Sequence, residues 1–249
     1  MDEEELKAAI IEAGKDEAGC AHRIALCEAL VLAFGKAGEC LWLCGTIIGP
    51  DRAEGTSPFG FGSDATVGLA TVVRIAGELS SGAVGLLQSG NHYAAAALVR
   101  QLVEVEYLAW AFAEDEEEAM NWLRSSREER MRFWRPSHIR KRAGGRFRGL
   151  DYSLHCEAGG HPTPEGNGLL PGGPRVESDF FAWNDLIFHG LSVWDYALSA
   201  ADRFEYGNEI RALPEAESLR AARERREASD PLLPLMAAGQ AWLDGHREH

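Results

Sequence analysis

The chain has 249 residues, of which 45% are apolar and 26% are charged, a composition typical of a soluble globular protein with a sizeable core. Its formal net charge of −14 argues against general affinity for nucleic acids or anionic membranes and leaves room only for a local basic region. The acidic start of the chain is unlike a signal peptide. With its five scattered cysteines, the sequence predicts a cytoplasmic protein whose thiols are reduced.

Helical spacing of apolar residues predicts an all-α N-terminal region. Residues 3–13 are expected to form a short acidic helix, and residues 16–48 to form one long helix or two in series. Gly35 and Gly38 are the candidate break points between the two. Residues 49–63 have the composition of a loop, and Ser63 or Asp64 is expected to cap the next helix.

Residues 66–114 are predicted to form two helices joined by a turn at residues 89–91. The second helix is apolar on nearly every side, which indicates burial on most sides. Charged residues inside these apolar helices argue against membrane spanning.

Each arm of this hairpin carries an Arg and a Glu four residues apart, on one helix face. Folding the chain at residue 89 brings Arg74 opposite Glu104 and Glu78 opposite Arg100. Since a buried charge requires a partner, the sequence predicts a crossed structural ion network of these four residues. The alternative is an internal polar pocket in which the guanidinium groups bind a carboxylate or phosphate.

The second half continues the helical pattern. A helix is expected from the acidic run at 114–118 to Pro136, then a basic turn to Arg142 and a segment capped by Asp151. Residues 158–177 contain four Pro and six Gly and are predicted to be a long loop. Apolar residues 178–204, charged residues 214–228 and the tail 231–249 are predicted helices. The fold class is therefore all-α, as a single domain (residues 1–249) with a core at about 65–205 and helices at 1–48 and 214–245 appended.

The order of these features resembles a large family of uncharacterised bacterial helical proteins, which is similar to the HEPN-type helical bundles. The resemblance is carried by Arg100 and Glu104 on an apolar helix, a basic helix at 124–148, and Tyr152-Ser153 followed by His161-Pro162. It implies an antiparallel helical bundle, a homodimer or protein partner, and a bacterial stress or defence context. Many HEPN proteins are metal-independent ribonucleases with an Arg, four residues and a His. None of the eight histidines follows an Arg at that spacing, which argues against this activity.

Asp185, His189 and Ser192 form a polar stripe on an apolar helix, in which Asp185 could orient His189 as a general base. His155 or His161 could approach this stripe from the preceding segment. The competing interpretation is a buried histidine with satisfied hydrogen bonds. An enzyme site would use His161, His189, Asp185, Arg100 and Glu104 as its catalytic residues.

Two sets of residues offer metal donors without a strong ligand spacing. One is His155, Cys156, Glu157, His161 and His189. The other consists of four cysteines and one histidine, namely Cys20, His22, Cys27, Cys40 and Cys44. The sequence therefore predicts no metal and no cofactor.

Residues 124–148 contain ten Lys or Arg and two Glu, in contrast with the acidic remainder of the chain. Interleaved aromatic residues could stack on bases, so RNA or another polyanion is a candidate partner, and no membrane is. The alternative is docking on an acidic protein surface. The candidate nucleic-acid-binding residues are Arg132, Arg135, Arg140, Lys141, Arg142, Arg146 and Arg148.

These observations favour a helical binding or regulatory module. The alternatives are a HEPN-like nuclease or hydrolase with an atypical histidine site, and an RNA-binding protein.

Overall fold

The structure, a computed structural model, describes residues 2–46, 63–147, 149–173 and 179–246, and these are helical with no strand. The first helices are α1 (Glu3–Gly14), α2 (Glu17–Thr46), α3 (Asp64–Gln88), α4 (His92–Glu114), α5 (Glu116–Arg124), α6 (Arg127–Phe133), α7 (Pro136–Arg142) and α8 (Gly149–His155). A π-helical turn (Cys156–Gly160) and a 3₁₀ helix (Pro164–Leu169) follow, then α9 (Phe180–Arg203), α10 (Gly207–Arg211), α11 (Pro214–Ser229) and α12 (Leu232–His246). The all-α prediction is confirmed.

The core lies between α2, α3, α4 and α9, which pack on one another along their apolar faces. α11 covers α2, α5 covers α3, and α1 contacts α12. By length and composition α3 could cross a membrane, but 61% of its most apolar window is buried. That degree of burial is typical of a core helix in a soluble protein.

The long helix α2 is continuous, so neither Gly35 nor Gly38 breaks it. Gly38 serves packing instead, because a Cβ at that position would lie 2.5 Å from Cγ of Arg74 on α3. The predicted hairpin turn is present between α3 and α4, and Gly90 adopts a positive φ of 75° there.

The predicted helix from 114 to Pro136 is two helices, because Ser126 starts a new one. Its side chain accepts from the N–H of Glu129, and the Glu129 carboxylate accepts from the N–H of Ser126. Within the predicted loop 158–177, the structure contains the π-helical turn and the 3₁₀ helix. The predicted loop 49–63 and residues 174–178 lie almost entirely outside the described residues.

Candidate functional site

Two buried histidines meet at the junction of the π-helical turn with α9. Nε2 of His155, the last residue of α8, lies 3.1 Å from Nε2 of His189 on α9. The ring planes are inclined by 75° and the ring centres are 4.9 Å apart. Both side chains are almost fully buried, so the two polar edges face each other out of bulk water.

A glycine allows His155 to reach this position. A Cβ on Gly159 would lie 2.6 Å from Cβ of Ala96 and 2.8 Å from the backbone N of Ala97. The π-helical turn can therefore dock directly on the backbone of α4, which places the end of α8 beside α9. Single π-helical turns of this kind occur frequently at functional sites.

Glu106 of α4 orients the second histidine. Its Oε2 lies 2.6 Å from Nδ1 of His189, and both groups are buried. An ionised carboxylate can only accept a hydrogen bond, so Nδ1 of His189 carries the proton. In the neutral ring, Nε2 of His189 then presents a lone pair toward Nε2 of His155.

His155, one member of this pair, lines a cleft of about 370 Å³. Small and apolar side chains form most of the wall, and its polar groups are two histidines and two aspartates. No Lys or Arg lines the described part of the cleft. The lining residues are His92, Ala95, Ala96, Val99, His155, Ala158, Leu169, Asp179, Phe181, Ala182 and Asp185.

Asp185 is at the site, next to His155. Its Oδ2 lies 3.9 Å from Nδ1 of His155, and its side chain is 55% exposed. Nδ1 of His189 is contacted by Glu106. A spacing of four residues places Asp185 and His189 on one face of α9, but the carboxylate extends toward the cleft mouth. The candidate donor atoms of His155, Asp185 and His189 lie within 4.8 Å of one another, and no other such group of three occurs among the described residues.

His161 is not part of this site, so its prediction as a catalytic residue is not supported by the geometry. It is exposed beyond the π-helical turn, where its N–H donates to the carbonyl of Cys156. Its carbonyl accepts from the hydroxyl of Tyr93. The other candidate from that segment, His155, is the residue that meets His189.

The prediction of a crossed ion network is wrong. Arg74 is exposed and lies over the ring of Trp42, and Glu78 is also exposed. Arg100 instead pairs with Glu104 on its own helix, at 2.6 Å. Two residues at matching positions along a hairpin do not necessarily lie on the facing sides of its helices. Arg74 and Glu78 lie on the side of α3 that faces away from α4.

Arg100 and Glu104 form a separate half-buried cluster with Tyr152, whose hydroxyl lies 3.1 Å from the guanidinium and 3.0 Å from the carboxylate. Burial, followed by the charge of Glu104, raises the pKa of Tyr152. Burial opposes the charge of Arg100, but hydrogen bonds with Cys156 and Tyr152 and the charge of Glu104 raise its pKa overall. Neither Arg100 nor Glu104 lines the cleft, so they do not join His189 in one site.

Some basic side chains of residues 124–148 contact other side chains, and others are exposed. Arg142 binds Glu118 at 2.6 Å, Arg140 lies over the ring of Tyr152, and Arg146 is 3.5 Å from the hydroxyl of Tyr196. Of the candidate nucleic-acid-binding residues, Arg132, Arg135, Lys141 and Arg146 are exposed and make no ion pair within the described ranges. Arg148 lies outside the described residues.

The cysteine-rich alternative is not assembled as a metal site in the described part of the chain. Cys20 contacts the carbonyl of Gly14 and the guanidinium of Arg23 instead. Burial raises the pKa of Cys44 to about 11 and that of Cys27 further. These thiols therefore resist the deprotonation that metal binding requires.

Sequence reasoning missed Glu106. Only two residues after Glu104, it points to the other side of α4 and into the core. The available signal was a second carboxylate within an apolar helix, because such a group requires a buried partner. The sequence does not specify that this partner is a histidine 83 residues away.

The chain matches no protein family model, and it has no significant similarity to a curated protein or to a solved structure.

Proposed function

We propose that the protein is a hydrolase of small neutral or cationic esters or amides, in which His155 and His189 activate a water molecule at the cleft. The observation that carries this proposal is the chain of contacts from Glu106 through His189 to His155. It begins in the core and ends at the cleft wall. A carboxylate that orients a histidine beside a pocket is the arrangement of general-base catalysis.

The cleft supports the substrate class. Its volume lies in the range of small-molecule sites, and an apolar wall with a few convergent polar groups is typical of them. Asp179 and Asp185 give its mouth negative charge, and no cation lines the described part of the wall to bind an anionic group. A phosphodiester is therefore a poorer substrate than a neutral ester.

The three residues have different roles in this reaction. His155 lines the cleft and is the catalytic residue, because the histidine pair accepts the proton of the attacking water through it. His189 and Glu106 are positioning residues. Glu106 fixes the ring of His189 and stabilises the positive charge that develops on the pair.

Purified protein is tested against p-nitrophenyl acetate, a neutral p-nitroanilide amide and bis-p-nitrophenyl phosphate. We expect turnover of the ester or the amide, little turnover of the phosphodiester, and loss of activity in His155→Gln. His161→Gln is the matched control, since this histidine lies outside the cleft and should retain activity. Equal activity in wild type and His155→Gln, or no turnover of ester and amide, would overturn the proposal.

A second candidate function is polyanion binding, favoured by the exposed and unpaired Arg132, Arg135 and Lys141 beside Phe133, which is 46% exposed. An Arg132/Arg135/Lys141→Ala triple variant should weaken RNA binding and flatten its salt dependence. Alanine at Arg220, Arg223 and Arg225 of α11 is the matched control. Equal RNA binding by both triple variants would count against a role for this segment.

We also propose, from the resemblance, that the fold is a HEPN-like antiparallel bundle that lacks the Arg-x4-His motif. The hairpin of α3 and α4, packed against α9, supports this proposal. Its setting would be the bacterial cytoplasm, as a homodimer or with a protein partner, in stress or defence. Sedimentation of the purified protein would test the dimer directly.

A further inference from the structure

We propose that His155, His189 and Asp185 bind one divalent transition-metal ion of the zinc class. Two imidazole nitrogens and one carboxylate oxygen are a donor set that catalytic zinc sites use, with a water molecule in the fourth position. The catalytic meaning of the ion rests on the proposed hydrolase function. Ion binding itself does not, and it is tested separately.

The relative position of the two rings carries the inference. Two imidazoles joined by a straight N–H···N bond, with 3.1 Å between their nitrogens, would have ring centres about 5.4 Å apart. Two rings bound through Nε2 to one ion at about 2.1 Å would subtend about 95° at the ion and have ring centres about 4.8 Å apart. The observed separation of the ring centres is 4.9 Å.

The contact between the two Nε2 atoms is therefore bent, and the separation of the ring centres matches that of two ligands of one ion. Bending weakens a hydrogen bond, whereas two ligands of one ion must meet at such an angle. In the metal-free protein a bent N–H···N hydrogen bond joins the pair. When the ion binds, the proton of that bond moves from Nε2 to Nδ1 of His155, and the ion takes its place between the two nitrogens.

Glu106 supports the proposed metal site without being a ligand of the ion. A metal-binding histidine commonly donates its other N–H to a carboxylate, which fixes the tautomer and makes the ligand more basic. The 2.6 Å contact between Glu106 and Nδ1 of His189 is of this kind, and it leaves Nε2 available to the ion. Asp185 offers the third ligand, because one donor atom from each of the three residues lies within 4.8 Å of the others.

The ligand set also selects the class of ion. Imidazole suits zinc, copper, iron and nickel, whereas magnesium and calcium prefer an all-oxygen shell. Facing helices of a bundle are a common support for such sites. A bound zinc ion would acidify its water toward neutral pH, and in the metal-loaded protein the ion, in place of the histidine pair, would then activate the water for the proposed hydrolysis.

The test uses the full chain, stripped with EDTA and titrated with Zn²⁺ by calorimetry. We expect one site, no binding of Mg²⁺, and a melting temperature that rises with Zn²⁺. Co²⁺ is the spectroscopic probe, with Fe²⁺ as a further arm because two histidines and a carboxylate also bind ferrous iron. A thiolate charge-transfer band with Co²⁺ would place the ion on cysteines and overturn the proposal.

Variants locate the ion. Glu106→Gln should weaken Zn²⁺ binding about 10- to 100-fold, and His155→Gln and His189→Gln should weaken it more. Asp185→Asn, at an exposed position that should not impair folding, should also weaken binding. His161→Gln is the control and should bind as wild type does. Wild-type affinity in His155→Gln or Asp185→Asn, in protein shown to be folded by circular dichroism, would overturn the proposal.

The two proposals fail in different ways. Zinc binding that requires His155 and His189, without hydrolysis of ester or amide, supports the ion site and overturns the hydrolase. Hydrolysis that is lost in His155→Gln but unaffected by EDTA overturns the ion site and leaves the hydrolase.

Discussion

The molecule contains two buried polar clusters that differ in what surrounds them. In the first, Arg23 binds Asp230 at 2.8 Å and the carbonyl of Gly14 at 2.6 Å. Arg226 binds the other oxygen of Asp230 and the amide oxygen of Asn184. The second cluster is the chain of Glu106, His189 and His155 described above.

The centre of the Arg23 cluster is closed, because the side chains of Arg23 and Asp230 are 1% and 0% exposed, whereas Asn184 and Arg226 at its edge line a groove. Asp230 also accepts from the N–H of Leu232, and Asn184 donates to the carbonyl of Phe180, so the cluster ties α1, α2, α9, α11 and α12 together. The histidine cluster opens on a cleft instead. Burial of charge alone therefore does not identify a functional site. The ion pair at the centre of the first cluster is enclosed by protein, whereas His155 at the end of the second lines a space that a ligand can enter.

The largest expected effect is on stability, at the closed cluster. Arg23→Ala leaves the Asp230 carboxylate buried without its main partner and should lower the free energy of unfolding by about 3–5 kcal/mol. Urea denaturation measures the change. Arg220→Ala, which breaks exposed pairs with Glu217 and Glu224, is the control and should leave the free energy of unfolding almost unchanged. Similar losses in both variants would remove the distinction between the closed cluster and the surface.

The same kind of change at the open cluster should affect function more than stability. Glu106→Gln keeps an acceptor for Nδ1 of His189 but removes the charge, so the ester turnover rate should fall about 100-fold. The melting temperature should change little. A variant that loses stability and retains its turnover rate would instead place Glu106 among structural groups.

Arg100 gives an intermediate case. If Arg100 were completely buried, Arg100→Ala would lower the free energy of unfolding by roughly 3 kcal/mol or more. The side chains of Arg100 and Glu104 are, however, 21% and 33% exposed. We therefore expect a loss of about 1–2 kcal/mol in urea denaturation, since solvent screens part of the stranded charge. A loss equal to that of Arg23→Ala would show that partial exposure does not matter here.

The smallest expected effect is at an exposed pair. Arg211 binds Asp202 at 2.5 Å, and this hydrogen bond lowers the pKa of Asp202. The folded pKa then lies below the unfolded pKa, so the stabilisation is present above the unfolded value and is lost as the pH falls through the folded value. Asp202→Asn should lower the free energy of unfolding by less than about 1 kcal/mol at pH 7 and should not change it at pH 2. A difference that persists at pH 2 would contradict this origin.

The sequence by itself determined the secondary structure of most of this protein. The apolar spacing of α2, α3, α4 and α9 indicates helices without any tertiary information, because one helix face must be buried. The turn at residues 89–91 and the boundary at Pro136 also follow from local chemistry. The boundary at Ser126 does too, but its capping box was overlooked.

Only the tertiary structure decided which side chains meet. Arg74 and Glu104 have matching positions along the hairpin but face different sides, because the rotation of each helix about its axis is set by packing. His155 reaches His189 because Gly159 allows a close approach to α4. Glu106 acquires its function from a residue 83 positions away. Local patterns specify which face of a helix is buried, whereas a site depends on three-dimensional contacts between faces, and the core as a whole fixes those.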